Sequence, residues 1–454
     1  MSTDSSQLIE NNVAITDNLL YTVKPSAVRG RQYRASIPAS TSNVANCGTT
    51  SILYLPARSN CFLDGKQTAL QFTIKNTSSN NLAMKTDGFG SSVIARVDIF
   101  HGSNLLESIS NYNVLASLIY DANLDPAQKV SLSGLYGGGN SVTVPRNGAT
   151  ITSTSTAVGQ LTVTIPLLSS ICGVSLDKYL DLNLADDIRI EVTWADEISG
   201  MVSAASTADT FITGYSTAWY IQSPTLLATI IELDAQGMAL VNSVAPPSGE
   251  KILHGTSYRS YNANMPSNSS GGGFSTLVPA RFASLQAVLL APRISSVVIA
   301  KEQNSISNRI NPNVSDYSWR LGGAQIPSRN VVLINSSTTG AYSESLYEFS
   351  KCFPNSSGNC LRSDYYNVAK SSNAQTGVTA PADGASTSAF AIGQELCMFS
   401  GKSDVLLCGV NTLSSNLFWE ANVSSSGNDA MTLNFFAVYD CLFVIQDGII
   451  SSRF

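Results

Sequence analysis

The chain has 454 residues (48.0 kDa), 43% apolar and 13% charged side chains, and a net charge of −6. Charge at about half the usual ~25%, with Ser, Thr, Asn and Gly in its place, describes a folded protein with a neutral, hydrogen-bonding surface. The acidic balance gives no bulk attraction to nucleic acid. No run of about 18 apolar residues offers a membrane helix, and the Ser-Thr-Asp-Ser-Ser after Met1 lacks the basic and apolar regions of a secretory signal.

Residues 1–45 read as a polar N-terminal arm with small apolar islands. Its first 23 residues contain no Lys or Arg; Lys24, Arg29, Arg31 and Arg34, with Tyr33 among them, then form a small basic cluster. The cluster is a candidate inner-surface or partner contact, suited to nucleic acid, an anionic membrane face or a neighbouring subunit. Salt bridges from arm to body are the plainer alternative. Capsid proteins that gather single-stranded RNA carry many more clustered Arg and Lys in such an arm.

Strand signals follow at a period of two. Leu70, Phe72 and Ile74 alternate with polar residues, as do Val93, Ala95, Val97 and Ile99, then Leu161, Val163 and Ile165, then Ile188, Ile190, Val192 and Trp194. Trp194 is expected in the core. A helix is expected from about Ile109 to Asp121, amphipathic through Ile109, Tyr112, Leu115, Leu118 and Ile119, followed by a long polar loop at Asp125–Gly159. A short helical or coiled turn containing Gly173 is expected to link Pro166 to Asp187. Tyr215–Ile221 reads as the last strand of the first half, and Pro224 with Pro246-Pro247 marks a crossing segment, placing a domain boundary near 225.

The second half repeats this order. Strands are expected within Phe274–Pro292 and at Tyr317, Trp319 and Leu321 ahead of a tight turn at Gly322-Gly323. A helix over about Tyr342–Phe353 has its apolar stripe at Tyr342, Leu346, Phe349 and Phe353, and a second long loop, Pro354–Thr387, follows it. Strands at Ala389–Ile392, Val405–Val410, Leu417–Val423 and Leu433–Tyr439 close the chain. The expected architecture is therefore all-β: an arm (1–45) and two tandem eight-stranded jelly rolls (46–225 and 226–454), one helix inserted in each. The two long loops are expected together at one exposed end.

Chemistry is sparse. Eight cysteines (47, 61, 172, 352, 360, 397, 408, 441) form no CxxC pair and read as reduced thiols, a Cys352–Cys360 disulfide being the lesser alternative. The two histidines, His101 and His254, stand in no triad or metal motif and read as structural. Gly401-Lys402-Ser403 lacks the earlier glycine of a phosphate loop, since position 396 is leucine, and Gly137–Gly139 and Gly271–Gly273 lack a dinucleotide context. Asp186-Asp187 and Asp196-Glu197 read as solvated strand ends, and the six N-x-[ST] sequons (Asn76, Asn268, Asn313, Asn335, Asn355, Asn422) as unused. The expectation is no catalytic site, cofactor or metal.

The run from Val97 through His101-Gly102-Ser103-Asn104 to Glu107, continuing to Asn111-Tyr112-Asn113, resembles the first jelly roll of viral double jelly-roll major capsid proteins. So does Ile165-Pro166-Leu167 with Gly173, Lys178-Tyr179-Leu180 and Ile188–Val192. In the second half, Pro279-Ala280-Arg281-Phe282, Trp319-Arg320-Leu321-Gly322 and Tyr439-Asp440 with Asp447-Gly448 are similar. The resemblance is to capsid proteins of polinton-like viruses and virophages, in the lineage of adenovirus hexon, and covers about residues 45–454. It implies a non-enzymatic structural protein in a virion capsid, forming pseudo-hexagonal homotrimers that tile an icosahedral shell. Penton and minor cement proteins would be partners, and the arm would touch genome or inner membrane weakly. A single-stranded RNA virus capsid protein with shell and protruding domains, or a carbohydrate-binding tandem β-sandwich, are the alternatives.

Overall fold

The computed structural model describes residues 30–77, 83–139, 148–154, 157–197, 199–204, 219–244, 249–298, 304–333, 342–353, 388–397, 408–425 and 427–454. Eight principal strands build the first half: β1 (Gly30–Pro38), β2 (Thr50–Leu55), β3 (Cys61–Asn76), β4 (Ile94–His101), β5 (Asn104–Ser110), β6 (Gly159–Pro166), β7 (Ile188–Trp194) and β8 (Trp219–Leu233). They pair antiparallel into two sheets of order β1-β8-β3-β6 and β2-β7-β4-β5. The second half repeats the pattern with β9 (Lys251–Met265), β10 (Gly272–Val278), β11 (Leu285–Ile294), β12 (Val314–Leu321), β13 (Ala324–Val332), β14 (Ile392–Glu395), β15 (Leu417–Val423) and β16 (Met431–Gln446). Its sheets run β9-β16-β11-β14 and β10-β15-β12-β13. First strand beside last and second beside seventh is the wrapping of a jelly roll, made twice. Short strands such as Val44–Asn46, Ala83–Thr86 and Leu180–Asp181 extend the first roll.

Alternation sets which face is dry. Leu70, Phe72 and Ile74 of β3 and Val163 and Ile165 of β6 face Val97 and Ile99 of β4 and Ile188, Ile190 and Val192 of β7, all at most 1% exposed. Trp194 fills this core edge-to-face with Phe72 (centroids 4.9 Å apart), and its indole N–H donates to Ser51 Oγ at 2.8 Å. In the second roll Trp319, Trp419 and Phe435 form the corresponding cluster. The β12–β13 hairpin turns at Gly322 (φ 56°) and Gly323 (φ 93°), left-handed values that glycine adopts without a Cβ clash.

Both roll boundaries differ from expectation. Residues 30–38 are not arm but β1, the first strand of the roll, paired along its length with β8. Residue 225 lies inside β8: Pro224 sits where the register against β3 shifts between Gln222 and Thr225, with Ser223 at φ 55°. A bulge accommodates a residue with no N–H to donate, so this proline does not end the strand. The first roll runs to Leu233, and the link to Lys251 contains a helix, Ala235–Val244, beginning where Asp234 Oδ1 accepts the Gly237 N–H at 2.7 Å.

Each roll carries a helix between its fifth and sixth strands, as expected. The first, α1 (Tyr112–Asn123), is not amphipathic in context: every residue from Tyr112 to Ala122 is buried. The expected loop after it holds two short helices, α2 (Pro126–Ser131) and α3 (Ser133–Tyr136), and a strand at Thr150–Thr152. Asp125 and Gln128 form a reciprocal capping box that starts α2. The link from Pro166 to Asp187 includes the two-residue strand Leu180–Asp181. The second inserted helix, spanning Ser343–Lys351, buries Phe349 against the roll. The loop expected at 354–387 lies outside the described residues, as do 405–407 of one expected strand.

Candidate assembly site at the junction of the two rolls

The two rolls meet through buried polar groups. Asp87, 1% exposed in the first roll, accepts the backbone N–H groups of Ser305 (2.7 Å), Ile306 (2.6 Å) and Ser307 (3.1 Å) from the second. A carboxylate facing successive amides is the anion-binding arrangement of a backbone nest, here filled from within the chain. Arg309 follows this segment, 1% exposed, its own backbone held by Ser388 and Phe390. It reaches α1, where it donates to Ser117 Oγ (2.9 Å) and Asp121. Lys129 of α2 donates to the other oxygen of Asp121 at 2.9 Å. Arg293 spans Asn434 and the Ser305 carbonyl, both at 2.8 Å, and burial pushes its guanidinium down to about 10, still charged at neutral pH.

A second cage surrounds Glu107 on β5. Its carboxylate accepts from Ser169 Oγ, Ser170 N and Oγ in the first roll and Ser257 Oγ in the second. Burial pushes its pKa up, and the hydroxyl donors hold it partly back. Nearby, Asn104 donates to the Ile450 carbonyl (3.0 Å), and Ile450 N–H donates to His101 Nδ1 (3.3 Å). The Asp177 and His254 backbones bond reciprocally with one another's chain segment: Asp177 N to His254 O, and His254 N to Asp177 Oδ1.

Buried charges are costly to desolvate and tolerable only when paired, so this junction has one favourable register. These bonds join the two rolls at several points along their contact.

His254 Nε2 also lies 2.7 Å from Asp440, which takes hydrogen bonds from Ser284 and Gln286. This trio is not a hydrolytic triad. The carboxylate stands in the middle, so the Ser284 proton is handed to acid, not to imidazole. Among the described residues, no group of three or more His, Cys, Asp and Glu is placed to hold a metal ion.

Of the basic cluster, the two described residues, Arg31 and Arg34, lie on one strand. Arg31 lies on β1 and ion-pairs with Glu232 at 2.8 Å, over the Tyr33 ring. Arg34 is exposed on the same strand, three residues on, and so on the opposite face. Lys24 and Arg29 lie outside the described residues. Cys352 is buried, and Cys360 also lies outside them. Sequence reasoning missed the junction entirely; its partners are separated by about two hundred positions, 218 for Asp87 and Ser305.

Two complete eight-stranded wraps joined by such a junction define a double jelly-roll protein. No protein-family model matches the chain, and no curated protein matches it in sequence. Solved structures share the fold. PBCV-1 VP54, as fitted into a reconstruction of the virophage Sputnik, matches with a TM-score of 0.59 at 10% identity, covering 96% of this chain and 99% of that one. Faustovirus major capsid protein gives 0.59 at 10% identity over 96% and 93%. Mavirus major capsid protein gives 0.56 at 10% identity over 98% and 94%.

Proposed function

We propose that this chain is a structural major capsid protein, without catalytic activity, that forms homotrimers of pseudo-hexagonal outline and tiles an icosahedral virus shell. The observation that carries the reading is the paired wrap itself. Two rolls of one topology, locked side by side, make a block with two similar but distinct halves, and three such blocks closed head to tail give a ring of six rolls. A heterologous contact about a threefold axis closes, so no end is left exposed. The fold shared with viral major capsid proteins over nearly the whole chain supports the same reading.

Function in this role is burial. A standard interface covers about 1,600 Å² per pair and needs no reactive group, which suits a surface of low charge. The 29 residues ahead of β1 are the segment we assign to the inner surface, with Lys24 and Arg29 as weak contacts to genome or membrane and Arg31 and Arg34 nearer the body. Penton and cement proteins would complete the shell, and the virion is the protein's place of action. Light scattering on the gel-filtered protein tests this: a mass near 144 kDa (3 × 48.0 kDa) and hexagonal particles in negative stain are expected. A monomer that neither trimerises nor assembles at high concentration refutes it.

A further inference from the structure

Cys397 and Cys408 are separated in sequence by ten residues, 398–407, yet stand together in the second roll. Leu396 N–H donates to the Gln286 carbonyl at 2.7 Å, one residue from where Leu285 and Val410 exchange both backbone bonds at 2.9 and 3.0 Å. The chain therefore leaves β11 after Leu396 and rejoins it at Val410, opposite adjacent residues about 3.4 Å apart along the strand. Cys397 is the first residue out and Cys408 lies two before the return, on either side of the neck. Their thiols lie close enough to interact, and both are partly exposed. The other described cysteines have no such partner: Cys61, Cys172, Cys352 and Cys441 are buried, and Cys47 donates to the Trp219 carbonyl.

We infer that Cys397 and Cys408 are a modification site, oxidised to an intrachain disulfide by a small-molecule disulfide such as oxidised glutathione. A neck whose two sides are held opposite adjacent residues of β11 brings the two thiols toward the close approach that an S–S bond requires. Burial, then Cys397, then Asp440 push the Cys408 thiol up to about 12, which assigns the first attack to Cys397. Its thiolate attacks one sulfur of the small disulfide, breaking that bond and releasing one small thiol. Once Cys397 is in the mixed disulfide, its thiol no longer opposes ionisation of Cys408. Cys408 then gives its proton to water and attacks the Cys397 sulfur, expelling the second small thiol. Two protein thiols are oxidised and one small disulfide is reduced to two thiols. For a protein of the virion, the pair would stay reduced in the cell and close after release, because virion surfaces are oxidising and the cytosol is not. Only that timing rests on the capsid reading; the chemistry belongs to the chain.

The test uses the full-length protein, incubated at pH 8 with excess oxidised glutathione, alkylated with iodoacetamide and weighed intact. An unalkylated pair is expected, with a mass about 116 Da below that of the reduced and alkylated protein: two carbamidomethyl groups of about 57 Da each and two hydrogens. Digestion with trypsin, which cuts at Lys402 between the two cysteines, should then give two peptides joined through Cys397 and Cys408 and separated by dithiothreitol. Cys397→Ser and Cys408→Ser should each abolish the link. A stable glutathione adduct on Cys397 that never resolves, or a mass deficit of about 116 Da that survives in Cys397→Ser, overturns the inference. Scattering on the same sample keeps the two proposals apart: trimers without the bond refute only the disulfide, and a bonded monomer that never assembles refutes only the capsomer.

Discussion

Replacing Asp87 by alanine should loosen the second roll from the first without unfolding either core. The side chain is 1% exposed and accepts two short backbone bonds, from Ser305 at 2.7 Å and Ile306 at 2.6 Å, with a longer third from Ser307. Hydrogen bonds to a charged group contribute about 1.5–3 kcal/mol each, so the two short ones set a loss of about 3–6 kcal/mol. Asp87→Asn keeps one acceptor oxygen and should lose about half as much. Native-state hydrogen exchange reads the effect locally. The amides of Ser305 and Ile306 should speed up by two or more orders of magnitude in Asp87→Ala, while those of β7 and β15 hold their rates. If these amides exchange as in the parent, and the urea midpoint stays within about 0.5 kcal/mol of it, the nest does not join the rolls.

Trp194→Ala empties a fully buried site beside Phe72 and should cost about 3–5 kcal/mol, measured by thermal or urea unfolding; a parental melt would show that the cavity refills. Removing residues 1–29 should leave the fold and the proposed trimer intact but impair the proposed shell assembly, whereas removing 1–38 takes away β1 and should abolish soluble expression, so equal behaviour of the two would refute the placement of β1. Burial raises the Glu107 pKa in the folded state, so the native protein holds the extra proton. That contribution is complete below the ordinary carboxylate value of 4.5 and is lost as pH rises through the folded value, at up to about 1.4 kcal/mol per unit. Urea midpoints of the parent should therefore fall, relative to Glu107→Gln, as pH rises from 4.5; parallel curves would refute the assignment.

Strands with a strict apolar alternation were legible in the sequence because burial repeats every second residue, and Leu70, Phe72, Ile74 and Trp194 stand on the inner faces that spacing dictates. β1 was not, since its inward Tyr33, Ala35 and Ile37 are only half-buried and Arg31 and Arg34 mask the period. The α2 start was written in Asp125-Pro126-Ala127-Gln128, a capping box with proline at the first helical position, inside a stretch that otherwise reads as loop. The polar residues of α1, Asn113, Ser117 and Asp121, suggest a wet face. They are buried because Ser92, Arg309 and Lys129 meet them from elsewhere in the chain. A buried polar junction has no local period, so spacing cannot reveal it.

The two inserted helices have unequal fates, and the difference bears on assembly. α1 is enclosed by Ser92 and Lys129 of its own roll together with Arg309 of the second. The helix Ser343–Lys351 occupies the same place in the order of the second roll, but one face is left open: Tyr347 is 62% exposed, with Lys351 Nζ 4.9 Å from its ring centroid. In the proposed closed ring of alternating first and second rolls, each second roll would be followed by the first roll of the next chain. An exposed tyrosine there has the character of an interface anchor, apolar in body and polar at its tip. Tyr347→Asp should leave the melting of the isolated subunit unchanged, because the ring packs on no core, and should weaken the trimer by at least tenfold in sedimentation equilibrium. A trimer that dissociates at the parental concentration would place this helix away from the threefold contact and leave closure to the sheet edges.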